Sequence, residues 1–269
     1  MGRSFSKMGS LKLTFLGTGT SLGVPIIGCH CEVCSSMDKR DKRLRTSALI
    51  DTDKGTRICI DAGPDFRYQM LREKVEYLDA ILITHEHRDH TAGLDDVRSF
   101  NYLQRKSMDI YGNKEALAGM RKMYYYVFEN SHYPGVPEFN LHEINPFITG
   151  SFKINELEIV PIKVMHAQLP TLAYRIGSLA YITDAKMISP KQEEKLYGVE
   201  TLVVNALRWT EHFSHFTIHE ALALIEKVKP KVAYLTHLSH EVGPYKDFQQ
   251  FLPDNVHLAY DGLQISVDY

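Results

Sequence analysis

The sequence predicts an α/β fold of open sheets, with strands and helices alternating through both halves of the chain. Two observations carry this. Short apolar, β-branched runs alternate with segments of helical apolar spacing along most of the chain. Strand after expected strand is also followed at once by a residue of metal-ligand type: Asp61, His85, His166, Asp184 and His237. An open α/β sheet builds its site outside the carboxyl ends of its strands. Histidines scattered over a surface would not keep that register.

Taken in order, residues 11–16 alternate and form the first expected strand. They run into Gly17-Thr18-Gly19-Thr20-Ser21-Leu22-Gly23-Val24-Pro25. This loop lacks the lysine of a nucleoside-triphosphate loop, and no helical pattern follows, so a tight turn passing close to the site is preferred over a phosphate cradle. Residues 47–51 and 57–61 bracket Thr52-Asp53-Lys54-Gly55 and read as a hairpin. Cys59 in its second strand is an ordinary core residue. Residues 65–75 place Phe66, Met70, Leu71 and Val75 at helical spacing. Residues 77–84 form a buried strand that stops at His85-Glu86-His87-Arg88-Asp89-His90. Residues 94–103 and 114–128 read as helices. Within the latter, Tyr124-Tyr125-Tyr126 point in different directions around a helix, which suits packing better than base stacking. Residues 131–149, with Pro134, Pro137 and Pro146, are expected to form a loop over the site. Strands then follow at 157–165, 171–176, 179–183, 201–205 and 231–236, with a helix at 217–228. No linker or composition shift interrupts residues 11–269, which are read as one domain behind a flexible tail at 1–10, with Met8 as an alternative start.

The 269 residues are 44% hydrophobic and 24% charged, as in a soluble globular protein, and suffice to bury a full core. A net charge of -2 supplies no global field for a nucleic-acid backbone. No apolar run approaches the ~20 residues of a membrane span, and no apolar segment near the start resembles a signal peptide. The opening Met-Gly-Arg-Ser-Phe-Ser matches a loose acylation pattern of a kind common by chance. Three of the four cysteines fall within residues 29–34, which suits metal ligation in a reducing cytoplasm better than a disulfide framework.

His85, His87, Asp89 and His90 put four ligand-type side chains within six positions. Imidazole and carboxylate together suit zinc, manganese or iron. A single ion cannot easily take four such close neighbours, but a loop can aim two at one metal and two at another. Cys29, Cys31 and Cys34, spelled C-x-C-x-x-C, supply three thiolates of a tetrahedral zinc site. His240, three residues after His237, could complete it, and His30 is the alternative.

The H-x-H-x-D-H spelling, followed in order by His166, Asp184 and His237, resembles the signature of the metallo-β-lactamase superfamily, from Leu11 to the C-terminus. The resemblance implies a four-layer αββα sandwich of two mixed sheets flanked by helices, with two metals at one edge of the sheets. It implies that His85, His87 and His166 hold one divalent metal, that Asp89, His90 and His237 hold the other, and that Asp184 bridges them. Asp61 would orient a ligating histidine. A hydroxide shared by the two metals would attack phosphorus or a carbonyl carbon, and Asp89 would orient it as well as ligate. His215 matches the histidine that phosphodiesterase branches place over the metals, where it would protonate the leaving alkoxide. His212, His219, His132, His142 and His257 are read as surface residues.

The pairing of Cys29, Cys31 and Cys34 with His240 resembles, more narrowly, the carbon–phosphorus lyase pathway phosphodiesterases. These open 5-phosphoribosyl 1,2-cyclic phosphate and accept 2′,3′-cyclic nucleotides. It implies one structural zinc pinning the long first loop beside the site. The resulting expectation is a cytoplasmic, dinuclear zinc or manganese phosphodiesterase. Its partner would be a small, cyclic phosphodiester rather than nucleic acid or a membrane, and relatives commonly form homodimers. A ribonuclease Z-like RNA endonuclease is one alternative, although no basic, Gly/Pro-rich arm is present. A non-catalytic cofactor-carrier relative is another, opposed by the complete ligand set.

Overall fold

The structure, a computed structural model, describes residues 9–129 and 135–269. The first half supplies strands β1 (Ser10–Gly17), β2 (Ser47–Thr52), β3 (Arg57–Ile60), β4 (Ala80–Leu82), β5 (Met108–Gly112) and β6 (Phe139–Glu143). The second supplies β7 (Phe152–Ile154), β8 (Leu157–His166), β9 (Leu169–Ile176), β10 (Leu179–Ile182), β11 (Thr201–Asn205), β12 (Val232–Thr236) and β13 (Val256–Leu258). A last strand, β14 (Gln264–Asp268), returns to the first sheet beside β1. The two seven-stranded sheets run β14-β1-β2-β3-β4-β5-β6 and β13-β12-β11-β10-β9-β8-β7. Each is mixed, with β3 to β6 parallel in the first and β10 to β13 parallel in the second.

Successive side chains of a strand point to opposite faces, so the near-continuous buried runs of central strands such as β3, β4, β10 and β11 serve both. Leu13, Phe15, Ile50, Ile58 and Leu82 of the first sheet pack against Ile159, Leu172, Tyr174 and Val203 of the second. The other face of the first sheet, with Leu49, Cys59, Ile81 and Ile110, is covered by Phe66, Phe100, Leu117 and Met120 from helices Phe66–Arg72, Arg98–Gln104 and Lys114–Met123. The outer face of the second meets helix Ile218–Val228 through Ala221, Leu224, Ile225 and Val228. Thr217 and Glu220 close that helix with a capping box, which satisfies two backbone amides that a first turn leaves free. The layers are therefore α/β/β/α, as expected. Burial contributes ~1.5–3 kcal/mol for each large apolar side chain, so the three apolar clusters between them hold the four layers together.

Several boundaries differ from the sequence reading. Ser10 already pairs with Asp268, and the Tyr269 amide donates to Gly9 O at 2.9 Å, so the expected tail does not include residues 9 and 10. Its remainder, residues 1–8, lies outside the described residues. The helix expected at 114–128 breaks at Tyr124 into Lys114–Met123 and Tyr125–Phe128. Tyr124 turns inward and donates to Thr91 O, Tyr126 donates to Asp95, and Tyr125 stays exposed, which is the packing role expected of the run. Residues 131–149 are not a loop throughout, because Phe139–Glu143 is the edge strand of the first sheet. Residues 130–134, including Pro134 and His132, lie outside the described residues. Among the described residues no helix is long and apolar enough to cross a membrane.

Candidate active site

Three candidate residues end their strands in the same unusual way. Asp61 after β3, Asp184 after β10 and His237 after β12 have φ of 62°, 53° and 56°. The left-handed region is costly for a side-chain-bearing residue, by ~1–3 kcal/mol, and such strain gathers at functional sites. It ends each strand abruptly at the same edge. Gly63 lets the neighbouring loop come close. A Cβ there would lie 1.9 Å from Asp89 O, and the adjacent Ala62 amide donates to His90 O at 2.8 Å.

All seven expected ligands converge at this edge. His85, His87 and His166 bring ligand atoms within 4.8 Å of one another, as do His85, His90 and Asp184. His90 Nε2 is 3.2 Å from both Asp89 Oδ2 and Asp184 Oδ2. His237 Nε2 is 3.3 Å from Asp184 Oδ1. Asp184 also gathers with His85 and with His166 within 4.8 Å, so it reaches both expected groups. The Nε2 atoms of His85, His90 and His237 are buried and have no hydrogen-bond partner. Buried polar atoms are nearly always paired, so unpaired imidazoles facing carboxylates are a donor set that fits divalent cations.

The other ring nitrogens are engaged. His90 Nδ1 donates to Asp61 Oδ2 at 2.7 Å, and His166 Nδ1 donates to Ser214 O at 2.8 Å. His85 Nδ1 lies 3.0 Å from Thr84 Oγ1, whose hydroxyl donates to Asp61. Asp61 thus carries His90 directly and His85 through Thr84. Burial drives His85 well below the usual imidazole range and His237 down to about 3, leaving both neutral as ligation requires. Burial opposes a charge on Asp184, but the imidazoles of His237 and His90 outweigh it and hold the carboxyl ionised. Burial likewise disfavours charge on His90, yet Asp184, Asp61 and Asp89 raise it strongly. Three carboxylates around one imidazole are an excess of negative charge that cations would relieve.

His215 lies against Asp184, with Nε2 3.0 Å from Oδ1. His212 is not the detached surface residue the sequence suggested. It is half-buried, with Nδ1 3.1 Å from His215 Nδ1, and Ser214 Oγ bridges the pair at 3.2 and 3.0 Å. Its only sequence signal was a position in the same loop, three residues before His215. His219, His142 and His257 pack elsewhere, against Trp209, Tyr111 and Tyr234.

Beside the site, His240 Nδ1 is 3.4, 3.3 and 3.6 Å from the sulfurs of Cys29, Cys31 and Cys34. Adjacent N and S ligands of tetrahedral zinc are ~3.5 Å apart, from bond lengths of ~2.0 and ~2.3 Å. His30 is exposed and outside the cluster, so His240 is the fourth member. The Cys34 amide, directed at Cys31 Sγ, brings that thiol down to about 6, which favours the thiolate. Cys59 is fully buried away from the cluster, and burial raises it to about 12.

Residues 56–238 match the family described as "Beta-lactamase superfamily domain". Over 259 residues the chain is 42% identical to a Porphyromonas gingivalis (strain ATCC BAA-308 / W83) protein named octanoyltransferase. That match covers 96% of this chain but 52% of the relative, so the chain spans about half of its length. It is 28% identical over 254 residues to exodeoxyribonuclease WalJ of Streptococcus pneumoniae serotype 2 (strain D39 / NCTC 7466), covering 83% of this chain and 87% of the other. Among solved structures, a new diphosphatase from the PhnP family superposes with a TM-score of 0.90 at 36% identity, over 97% of this chain and 99% of the other. With its αββα layers, its ligand-bearing edge and a family match over most of its length, the chain belongs to the metallo-β-lactamase superfamily.

Proposed function

We propose that the chain is a metal-dependent phosphodiesterase acting on a small, cyclic phosphodiester of the phosphoribosyl 1,2-cyclic phosphate or 2′,3′-cyclic nucleotide type. The observation that carries this reading is the buried, unpartnered Nε2 set of His85, His90 and His237 gathered around Asp184. His85, His87 and His166 would hold one divalent ion, Asp89, His90 and His237 the other, with Asp184 between. Zinc and manganese both suit these donors. Such a pair, when bound, supplies a water activated at neutral pH and neutralises phosphoryl charge. Cys29, Cys31, Cys34 and His240 would hold a separate structural zinc.

The remaining steps belong to the chain's own side chains. Asp89, half-buried, orients the attacking water. His215 Nε2 holds the proton that passes to the leaving alkoxide, and His212 steadies the far side of the ring. The names of the PhnP-family diphosphatase and the exodeoxyribonuclease, both phosphorus–oxygen chemistries, support the reading.

The test is turnover by the metal-loaded protein of 2′,3′-cyclic nucleotides, phosphoribosyl 1,2-cyclic phosphate, precursor transfer RNA and an octanoyl thioester. Cyclic phosphodiesters are expected to turn over, and turnover of the thioester alone overturns the proposal. The thioester is included because the name of the P. gingivalis relative favours a second reading, attack on an acyl carbonyl. His215→Ala should slow hydrolysis of an alkoxide-leaving substrate by ~10²–10⁴-fold, the usual worth of a general acid. Metal content should stay unchanged and a p-nitrophenyl ester should suffer far less. An equal loss on both substrates would remove the acid role.

A further inference from the structure

We infer that Thr46 is a positioning residue for His237, fixing which ring nitrogen carries the proton and leaving Nε2 bare toward Asp184. A threonine hydroxyl has a single hydrogen. Thr46 Oγ1 lies 2.7 Å from Gly19 O, a carbonyl that can only accept, so the hydrogen is committed there. The same oxygen is 3.0 Å from His237 Nδ1 and has only lone pairs left to offer. The imidazole proton must then reside on Nδ1, and Nε2 presents a lone pair 3.3 Å from Asp184 Oδ1. Thr183 does not compete as a donor: its hydroxyl is 3.5 Å from Nδ1 and gives its hydrogen to Asp184 Oδ2 at 2.5 Å.

The contact joins the two sheets, since Thr46 precedes β2 and His237 follows β12. The glycine-rich loop holds it in place. Gly19 is bridged to both Arg45 and Leu238, the Leu238 amide donates to Thr18 O, and the Thr20 amide donates to Leu238 O. Thr18 in turn donates to Asp261 through its amide and hydroxyl, at 2.9 and 2.8 Å, while buried Arg43 donates to Thr18 Oγ1. In this arrangement the loop presents the Gly19 carbonyl to Thr46. Thr84 treats His85 in the same manner, spending its hydrogen on Asp61 and accepting from Nδ1.

The inference rests on the reading of this edge as a metal cage, and the test separates the two. The Thr46 amide also donates to Gly19 O, at 3.1 Å, so Thr46→Val keeps a loop anchor while losing the hydroxyl. After mild chelation of the purified full chain, manganese and zinc are titrated calorimetrically into wild type, Thr46→Val and Thr46→Ser. Valine should weaken one of the two cage ions by ~10–100-fold, the usual effect of losing a partner behind a ligand. Serine should restore the wild-type value, and the melting temperatures of the stripped proteins should agree. Long-range ¹H–¹⁵N spectra of the wild type should show the Nδ1–H form of His237, a readout that needs no variant. The Nε2–H form, or equal affinities for valine and wild type, overturns the role of Thr46 alone. A wild-type cage that takes up no divalent ion overturns the metal reading and this inference with it.

Discussion

Asp184→Asn is expected to lower turnover on the order of 10³-fold or more and to reduce the metal content of the cage, while the fold persists. Asp184 is the side chain shared by the two groups, within 3.3 Å of His90, His215 and His237. Removing its charge takes away the one carboxylate that the Nε2 atoms of His90, His215 and His237 all face, and residues acting as one unit lose nearly the whole effect when any one is deleted. Asparagine is a better probe than alanine. The residue sits at φ 53°, a conformation that asparagine adopts more readily than alanine, so the substitution isolates charge from backbone strain. Asp184→Ala should be equally inactive and slightly less stable. The apolar layers do not include this position, so circular dichroism should be unchanged. Elemental analysis and initial rates on a cyclic phosphodiester check the expectation, and an asparagine variant that keeps both its metals and its turnover defeats it.

Cys31→Ser should act on the other cluster and on a different quantity. Its sulfur is 3.3 Å from His240 Nδ1, and its thiol, brought down to about 6, is ionised at neutral pH. Serine supplies no anion there. Structural zinc contributes directly to folding free energy. If the loss reaches ~3–5 kcal/mol, the melting temperature should fall by ~10 °C, at 2–4 °C per kcal/mol for a chain of this size. One zinc per chain should disappear while the cage ions remain detectable. A variant with unaltered melting temperature and zinc content would show that the cysteines hold no structural metal.

Much of this was legible because ligand-bearing residues follow strands directly. The apolar runs ending at Asp61, His85, His166, Asp184 and His237 could be read without any knowledge of pairing. β11 was legible to the residue, since Thr201–Asn205 is a short β-branched and apolar run buried throughout. Edge elements were not: β6, with the sequence FNLHE, has no buried residue, and β14 has one, so neither carries an apolar pattern strong enough to distinguish from loop. His212 and Thr46 escaped for another reason. Their importance lies in a hydrogen-bond partner across the fold or within a folded loop, and neither spacing nor hydropathy encodes that. The break at Tyr124 was hidden as well, because helical periodicity continues through a residue whose hydroxyl is drawn toward Thr91.

The amide of Tyr269 bonded to Gly9 means that the two ends of the described chain emerge side by side. Ligating them through a short spacer and reopening the polypeptide at an exposed turn such as Asp53-Lys54-Gly55 should yield a circular permutant that folds and retains its metals. The same adjacency would let the fold be spliced as a cassette into a longer protein without prying its sheets apart.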